Sequence, residues 1–149
     1  MSKLLDTVLL LALPASGKSE VRTFLANLPE EICREDFHMG PTVQLDDYPY
    51  VHMMRRVDEV LRGAGHDGVY FQADVRPFKD PRDWGTLIEL LNEDFAALTT
   101  HPSFKGDSAA RHVMARMDAA ATRAGAAPKV TMLPGEYQEL LARELEPEF

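Results

Sequence analysis

The sequence predicts a three-layer α/β/α domain around a mostly parallel sheet, and three observations lead there. Val8 to Leu13 is a continuous apolar run of strand length, the pattern of a strand buried on both faces. From Lys18 the apolar period changes to that of a helix. Further along, short strand-like runs alternate with longer helical patterns, the order that supplies a parallel sheet with its crossovers. The 149 residues, 45% hydrophobic and 27% charged, are enough for one domain with a real core. The chain is therefore read as a single domain over 1–149.

Each element has its own reason. Val21, Phe24, Leu25 and Leu28 form one helical stripe, and Pro29 stops it. Thr42 to Asp46 reads as a second strand after the Gly40-Pro41 break. Tyr50 to Arg62 is helical, with Val51, Met54, Val57 and Leu61 inward and Gly63 and Gly65 as its end. Val69 to Ala73 is a third strand candidate closing at Asp74. Trp84, Leu87, Ile88, Leu91, Phe95 and Leu98 mark the clearest amphipathic helix. Ser108 is placed as the N-cap of a helix reaching Arg123, with Gly125 as its stop. Lys129 to Leu133 is a fourth strand candidate, and Glu136 to Leu145 a last helix. Neither an internal repeat nor a low-complexity linker stands out.

Composition excludes several classes of function. Sixteen Lys and Arg against 24 Asp and Glu leave a net charge of −8, which opposes bulk attraction to nucleic acid or an anionic membrane. The single cysteine, Cys33, forms no internal disulfide, suits a reducing cytoplasm and rules out a cysteine-based zinc cluster. No apolar stretch approaches the ~20 residues of a membrane helix. Val8–Leu13 is about half a signal-peptide core and follows Asp6, so it reads as a strand. The five histidines lack metal-ligand spacing, and no G-x-S-x-G elbow is present. The expectation is a soluble, cytoplasmic protein.

The informative segment is Ala12-Leu13-Pro14-Ala15-Ser16-Gly17-Lys18-Ser19. It matches the phosphate-loop pattern G-x-x-x-x-G-K-[ST] except that Ala12 replaces the first glycine. Gly17 lets the backbone turn so that amides face an anion, and a helix starting near Lys18 adds its positive end. Lys18 would reach the β- and γ-phosphates, and the Ser19 hydroxyl would ligate Mg²⁺. Pro14, Ala15 and Ser16 complete the loop.

These residues resemble the P-loop of small-molecule and polynucleotide kinases of the nucleoside-monophosphate-kinase type, within the P-loop nucleoside triphosphate hydrolase superfamily. The resemblance extends to Leu45-Asp46-Asp47, and it covers about half of the chain. The chain also looks like the N-terminal part of longer bacterial P-loop proteins, which would leave the domain incomplete at its C-terminal end. The resemblance implies an ATP- and Mg²⁺-dependent kinase that transfers the γ-phosphoryl group to a small-molecule or nucleotide-like acceptor. It lacks a recognisable adenine loop.

Asp46 and Asp47 end the second strand candidate, where ligands bind in open α/β sheets. One carboxylate there would orient or deprotonate the acceptor, or hold Mg²⁺; both also suit a turn before the next helix. Asp74 is a candidate metal acid together with Ser19 and Asp46. Arg82, with Arg76 and Lys79, offers cations for a moving phosphoryl group, and Arg55 could face a substrate phosphate. The rival reading is a nucleotide-binding regulatory or assembly module, or an NTPase, with little kinase turnover. An N/T-K-x-D guanine motif is absent, which disfavours a GTPase.

Overall fold

The computed structural model describes residues 4–5, 7–8, 17–74, 76–100, 103 and 105–149. The chain divides into two compact units, Met1–Gln44 and Leu45–Phe149. In the first, α1 (Lys18–Asn27) and α2 (Glu30–Asp36) are joined at Pro29. Leu28 closes α1 by donating to the Leu25 carbonyl, and Cys33 donates its thiol to the same carbonyl at 3.4 Å. Neither helix has a buried residue; Val21 and Phe24 of the expected stripe are exposed.

The second unit is a bundle of α3 (Tyr48–Gly63), α4 (Asp83–Thr100), α5 (Ala109–Arg123) and α6 (Gly135–Leu145), followed by a 3-10 turn, Glu146–Glu148. α3 lies against α6, and α4 against α5. The core draws Met54, Val57 and Leu61 from α3, Leu87 and Leu90 from α4, Met114, Met117 and Ala120 from α5, and Leu141 and Leu145 from α6. Alanines on α5 allow close approach, and an added Cβ at Gly85 would meet Ala124 Cβ at 3.1 Å. Ser108 caps α5 as expected, its hydroxyl accepting from the Arg111 amide at 3.2 Å. Among the described residues no helix is long and apolar enough to cross a membrane.

The expected sheet is overturned. The described residues include six α-helices and no strand, only an isolated antiparallel bridge between Phe71 and Phe78. The three-layer α/β/α architecture is therefore corrected, and with it the membership in the kinase-like P-loop superfamily. Of the first strand candidate, Val8 is described, as irregular and exposed backbone; positions 9–13 lie outside the described residues. Thr42–Asp46 is irregular, with Val43 exposed.

The other two strand candidates are partly buried loops, and the physical reason is specific. Asp58 on α3 is 1% exposed and accepts the amides of Val69 (2.5 Å), Tyr70 (2.9 Å) and Phe71 (2.8 Å). Asp118 on α5, 4% exposed, does the same for Lys129 (2.7 Å), Val130 (3.2 Å) and Thr131 (2.7 Å), and for the Thr131 hydroxyl (2.7 Å). Amides that a sheet would pair with carbonyls are taken here by carboxylates. Burial then selects the same apolar residues that a strand would carry.

The two loops also reveal a duplication. His52, Met54, Arg56, Asp58, Ala64 and Gly65 recur at one constant offset as His112, Met114, Arg116, Asp118, Ala124 and Gly125. Gly65 and Gly125 both adopt left-handed backbone, φ 78° and 77°. The His66 amide bonds the Leu61 carbonyl at 2.9 Å, and at the same offset Ala126 bonds Ala121 at 2.8 Å. The unit is thus two helix–loop–helix repeats. In the first, Gly68 is dictated by close approach: an added Cβ would lie 2.6 Å from Asp58 Oδ2.

Removing either anchor strands three buried or part-buried amides. Asp58→Ala and Asp118→Ala should each lower unfolding free energy by on the order of 3 kcal/mol in urea titration. The Asn variants, which keep one acceptor oxygen, should lose less. A loss below about 0.5 kcal/mol would show that the loops hold without their carboxylates.

Candidate functional site

The phosphate-loop residues that are described sit at the start of α1. Gly17 is its N-cap in the left-handed conformation, φ 85° and ψ 17°, where a side chain would be strained. Val21 closes the first turn by donating to the Gly17 carbonyl at 3.1 Å. The amides of Lys18, Ser19 and Glu20 therefore precede the first intrahelical bond, the arrangement that favours an anion. Glu20 lies in the same turn, its Oε2 3.7 Å from where a Gly17 Cβ would be. Pro14, Ala15 and Ser16 lie outside the described residues.

The remaining sequence candidates belong to Leu45–Phe149. Asp46 forms a tight turn, its Oδ1 accepting the Tyr48 amide at 2.9 Å. Asp47 is the N-cap residue of α3, is half-buried, and makes no side-chain bond to the helix it precedes. Arg55 stands 4.4 Å over the Phe71 ring and donates to the Asp74 carbonyl. The Asp74 carboxylate accepts from Arg62 and is 89% exposed. Lys79 donates through Nζ to the Gly68 carbonyl, which staples the first loop. Arg76 is exposed. Arg82 grips Asp80 through Nε (2.9 Å) and Nη2 (2.7 Å) and donates to the Gly125 carbonyl at 2.6 Å, linking the two repeats. Those bonds hold the Asp80 carboxyl down at about 2. The structure thus brings Arg55 and Asp74 together, while Lys79 and Arg82 serve as loop staples.

Two polar clusters escape the sequence reading. In one, Tyr50 Oη donates to Asp94 at 2.6–2.7 Å and accepts from Arg116 Nη2 at 3.1 Å. Arg116 also pairs with Glu93 (2.8 Å) and Asp94 (2.9 Å). Burial and the Asp94 bond push the Tyr50 hydroxyl up to about 12, against the pull of Arg116. This cluster lines a cleft of about 330 Å³ with Pro49, Met53, Val113 and Phe149. The second cluster is interior. Asp83 is fully buried and accepts from Lys129 Nζ at 2.8 Å; Tyr70, 1% exposed, lies with its ring 5.5 Å from that Nζ. Tyr70 Oη and Asp83 Oδ2 have no hydrogen-bond partner among the described residues. Burial raises Asp83 above its ordinary value and Lys129 opposes that rise.

The repeated H-x-M-x-R-x-D pattern was the signal available for these groups. Arg116, its second arginine, reaches the acids of α4. Arg56, the first, bonds Glu148 beyond α6 at 2.5 Å, and His52 reaches the same carboxylate at 3.1 Å. Bonding to Arg56 lowers the Glu148 carboxyl.

Compared with family models, curated proteins and solved structures, the chain gives no match.

The Asp83–Lys129 pair carries a pH prediction. A buried acid with a raised folded value stabilises the fold below its unfolded pKa and loses that contribution as pH rises through the folded value. Lys129 offsets the loss at neutral pH. Lys129→Met should therefore destabilise by about 3–5 kcal/mol at pH 7. The deficit should shrink as pH falls and Asp83 takes up a proton. Urea unfolding between pH 4 and 7 reads this directly, and a pH-independent deficit would exclude the account.

Proposed function

We propose that the chain binds the phosphate groups of a nucleoside triphosphate at Gly17-Lys18-Ser19. The observation that carries this reading is the left-handed Gly17, φ 85°, leading directly into α1. At such a start the amides of residues 18–20 precede the first intrahelical bond, and the helix dipole there favours an anion. Lys18 adds a full positive charge, and the Ser19 hydroxyl is the group that would hold Mg²⁺ of Mg-ATP. None of this needs a sheet. Glu20, in the same turn, balances the helix end electrostatically when no anion is bound.

A nucleotide-dependent regulatory or assembly module fits the second unit better than a transferase does. Asp46 serves a turn, Arg82 and Lys79 staple loops, and Asp74 is paired with Arg62.

Calorimetric titration with Mg-ATP tests the binding. Lys18→Ala should weaken affinity about thirtyfold, the loss of roughly 2 kcal/mol from one charge-assisted contact. Gly17→Ala should weaken it as well, because alanine resists left-handed backbone. Folded wild-type protein that binds neither Mg-ATP nor tripolyphosphate would end this reading. Product analysis separates the two versions. A module leaves ATP intact, an NTPase makes ADP alone, and a kinase makes ADP only with an acceptor.

A further inference from the structure

We propose that the exposed apolar face of α4 is a self-association surface, on which a second copy of this chain docks helix against helix. Trp84, Ile88, Leu91, Phe95 and Leu98 follow the alternating four- and three-residue spacing of a coiled-coil seam along the 18 residues of α4. Trp84, Ile88 and Phe95 are 58%, 60% and 52% exposed. The core does not require them, because Leu87 and Leu90 on the adjoining arc already face inward.

The duplication supplies an internal control. α6 occupies in the second repeat the place α4 occupies in the first, and its exposed face carries Glu136, Glu139, Arg143 and Glu144. The same architecture is thus satisfied with a polar outer face. The apolar seam is a property of this helix and not of the fold.

Charge selects the occupant. A chain of net charge −8 would repel its own copy if acids bordered the contact. The acids of α4 past its first turn are instead engaged from the other side: Arg123 pairs with Glu89 at 3.1 Å, and Arg116 with Glu93 and Asp94. The border beyond the seam holds Asn92 and Ala96, uncharged and exposed. An acidic or basic partner would gain nothing from this border, whereas a second identical face meets no unpaired acid of α4 past its first turn. Trp84 is also positioned in advance, its ring edge-on to Phe78 at 5.1 Å, and Phe78 stacks on Phe71 at 4.6 Å. Two such faces, each about 27 Å long, bury on the order of 1,000 Å² in total. That is the lower end for a specific dimer, so the affinity should be micromolar.

Trp84 is the single tryptophan, so its emission reports the seam. Sedimentation velocity on the full chain from about 1 to 300 μM should show a monomer–dimer equilibrium, with Trp84 emission moving to shorter wavelength as dimer forms. Ile88→Glu and Phe95→Glu alter exposed positions and should each weaken dimerisation at least tenfold, with circular dichroism and the urea midpoint confirming an intact fold. Glu136→Lys, on the polar face of α6, should leave the dimer unchanged. A monomer throughout that range with unshifted emission would overturn the proposal. So would a dimer that survives both seam variants. If either seam variant failed to fold, Leu91→Cys in a Cys33→Ser background would decide: oxidation should link two copies, and no crosslink at concentrations where dimer forms would overturn the proposal.

Discussion

A buried loop must hand its amide hydrogens to some acceptor, and in Leu45–Phe149 that constraint is met by two aspartates. Asp58 and Asp118 each project from the middle of a core helix and collect three consecutive amides of the loop that follows. An ionised carboxylate in the interior is costly alone and stable when several donors converge on it. Here the helix fixes the carboxylate, the carboxylate fixes the loop, and the loop sends the chain back as the next helix. Tyr70, Phe71 and Val130 can then be buried without a sheet.

The duplication explains how the two halves fit. Each repeat alone is a helical hairpin with one apolar side, too small to bury its own face. Set together, α3 meets α6 and α4 meets α5. The equivalent arginines act reciprocally: Arg56 of the first repeat holds Glu148 after α6, and Arg116 of the second holds Glu93 and Asp94 on α4. Glu146 adds a further tie, accepting from the Ser108 hydroxyl and the Ala109 and Ala110 amides at the start of α5. These contacts are partly exposed, so their value lies in fixing register more than in stability.

The helices were legible and the sheet was not, for one reason. Helical periodicity located α3, α4, α5 and α6, and the stop at Gly125 matches a left-handed turn, but in α4 the apolar stripe marks the wrong side: Trp84, Ile88 and Phe95 are exposed, and Leu87 and Leu90 face the core. α2, seven residues with no apolar stripe, was missed. Periodicity says nothing about the partner of a buried amide. Val69–Ala73 and Lys129–Leu133 carry apolar residues because Tyr70, Phe71, Val130 and Leu133 are buried, and the aspartates that claim their amides lie eleven or more residues earlier in the chain. The repeated H-x-M-x-R-x-D pattern could have revealed this, since equal spacing before two strand-like runs implies equal loops. Asp46, Lys79 and Arg82 were singled out for chemistry, and their types did fit it. A turn, a carbonyl staple and a bidentate acid pair use the same residue types, and only geometry separates the uses.

Where two repeats share an architecture, the positions at which they differ carry what the architecture leaves open. Lys129 stands where the first repeat has Val69, and its ammonium faces the buried Asp83. That pair ties the start of α4 to the second loop and gives the interior a charge that a symmetric core would lack. The apolar outer face of α4 against the polar one of α6 is a second difference, directed at solvent. The Gly17-Lys18-Ser19 turn belongs to the other unit and owes nothing to the duplication. An anion site at a helix start rests on a left-handed residue, the amides of the first turn and a cation, and none of these requires a sheet. The proposed phosphate site rests on a local turn, whereas the expected arrangement of acceptor groups rested on a sheet edge that the described residues do not build.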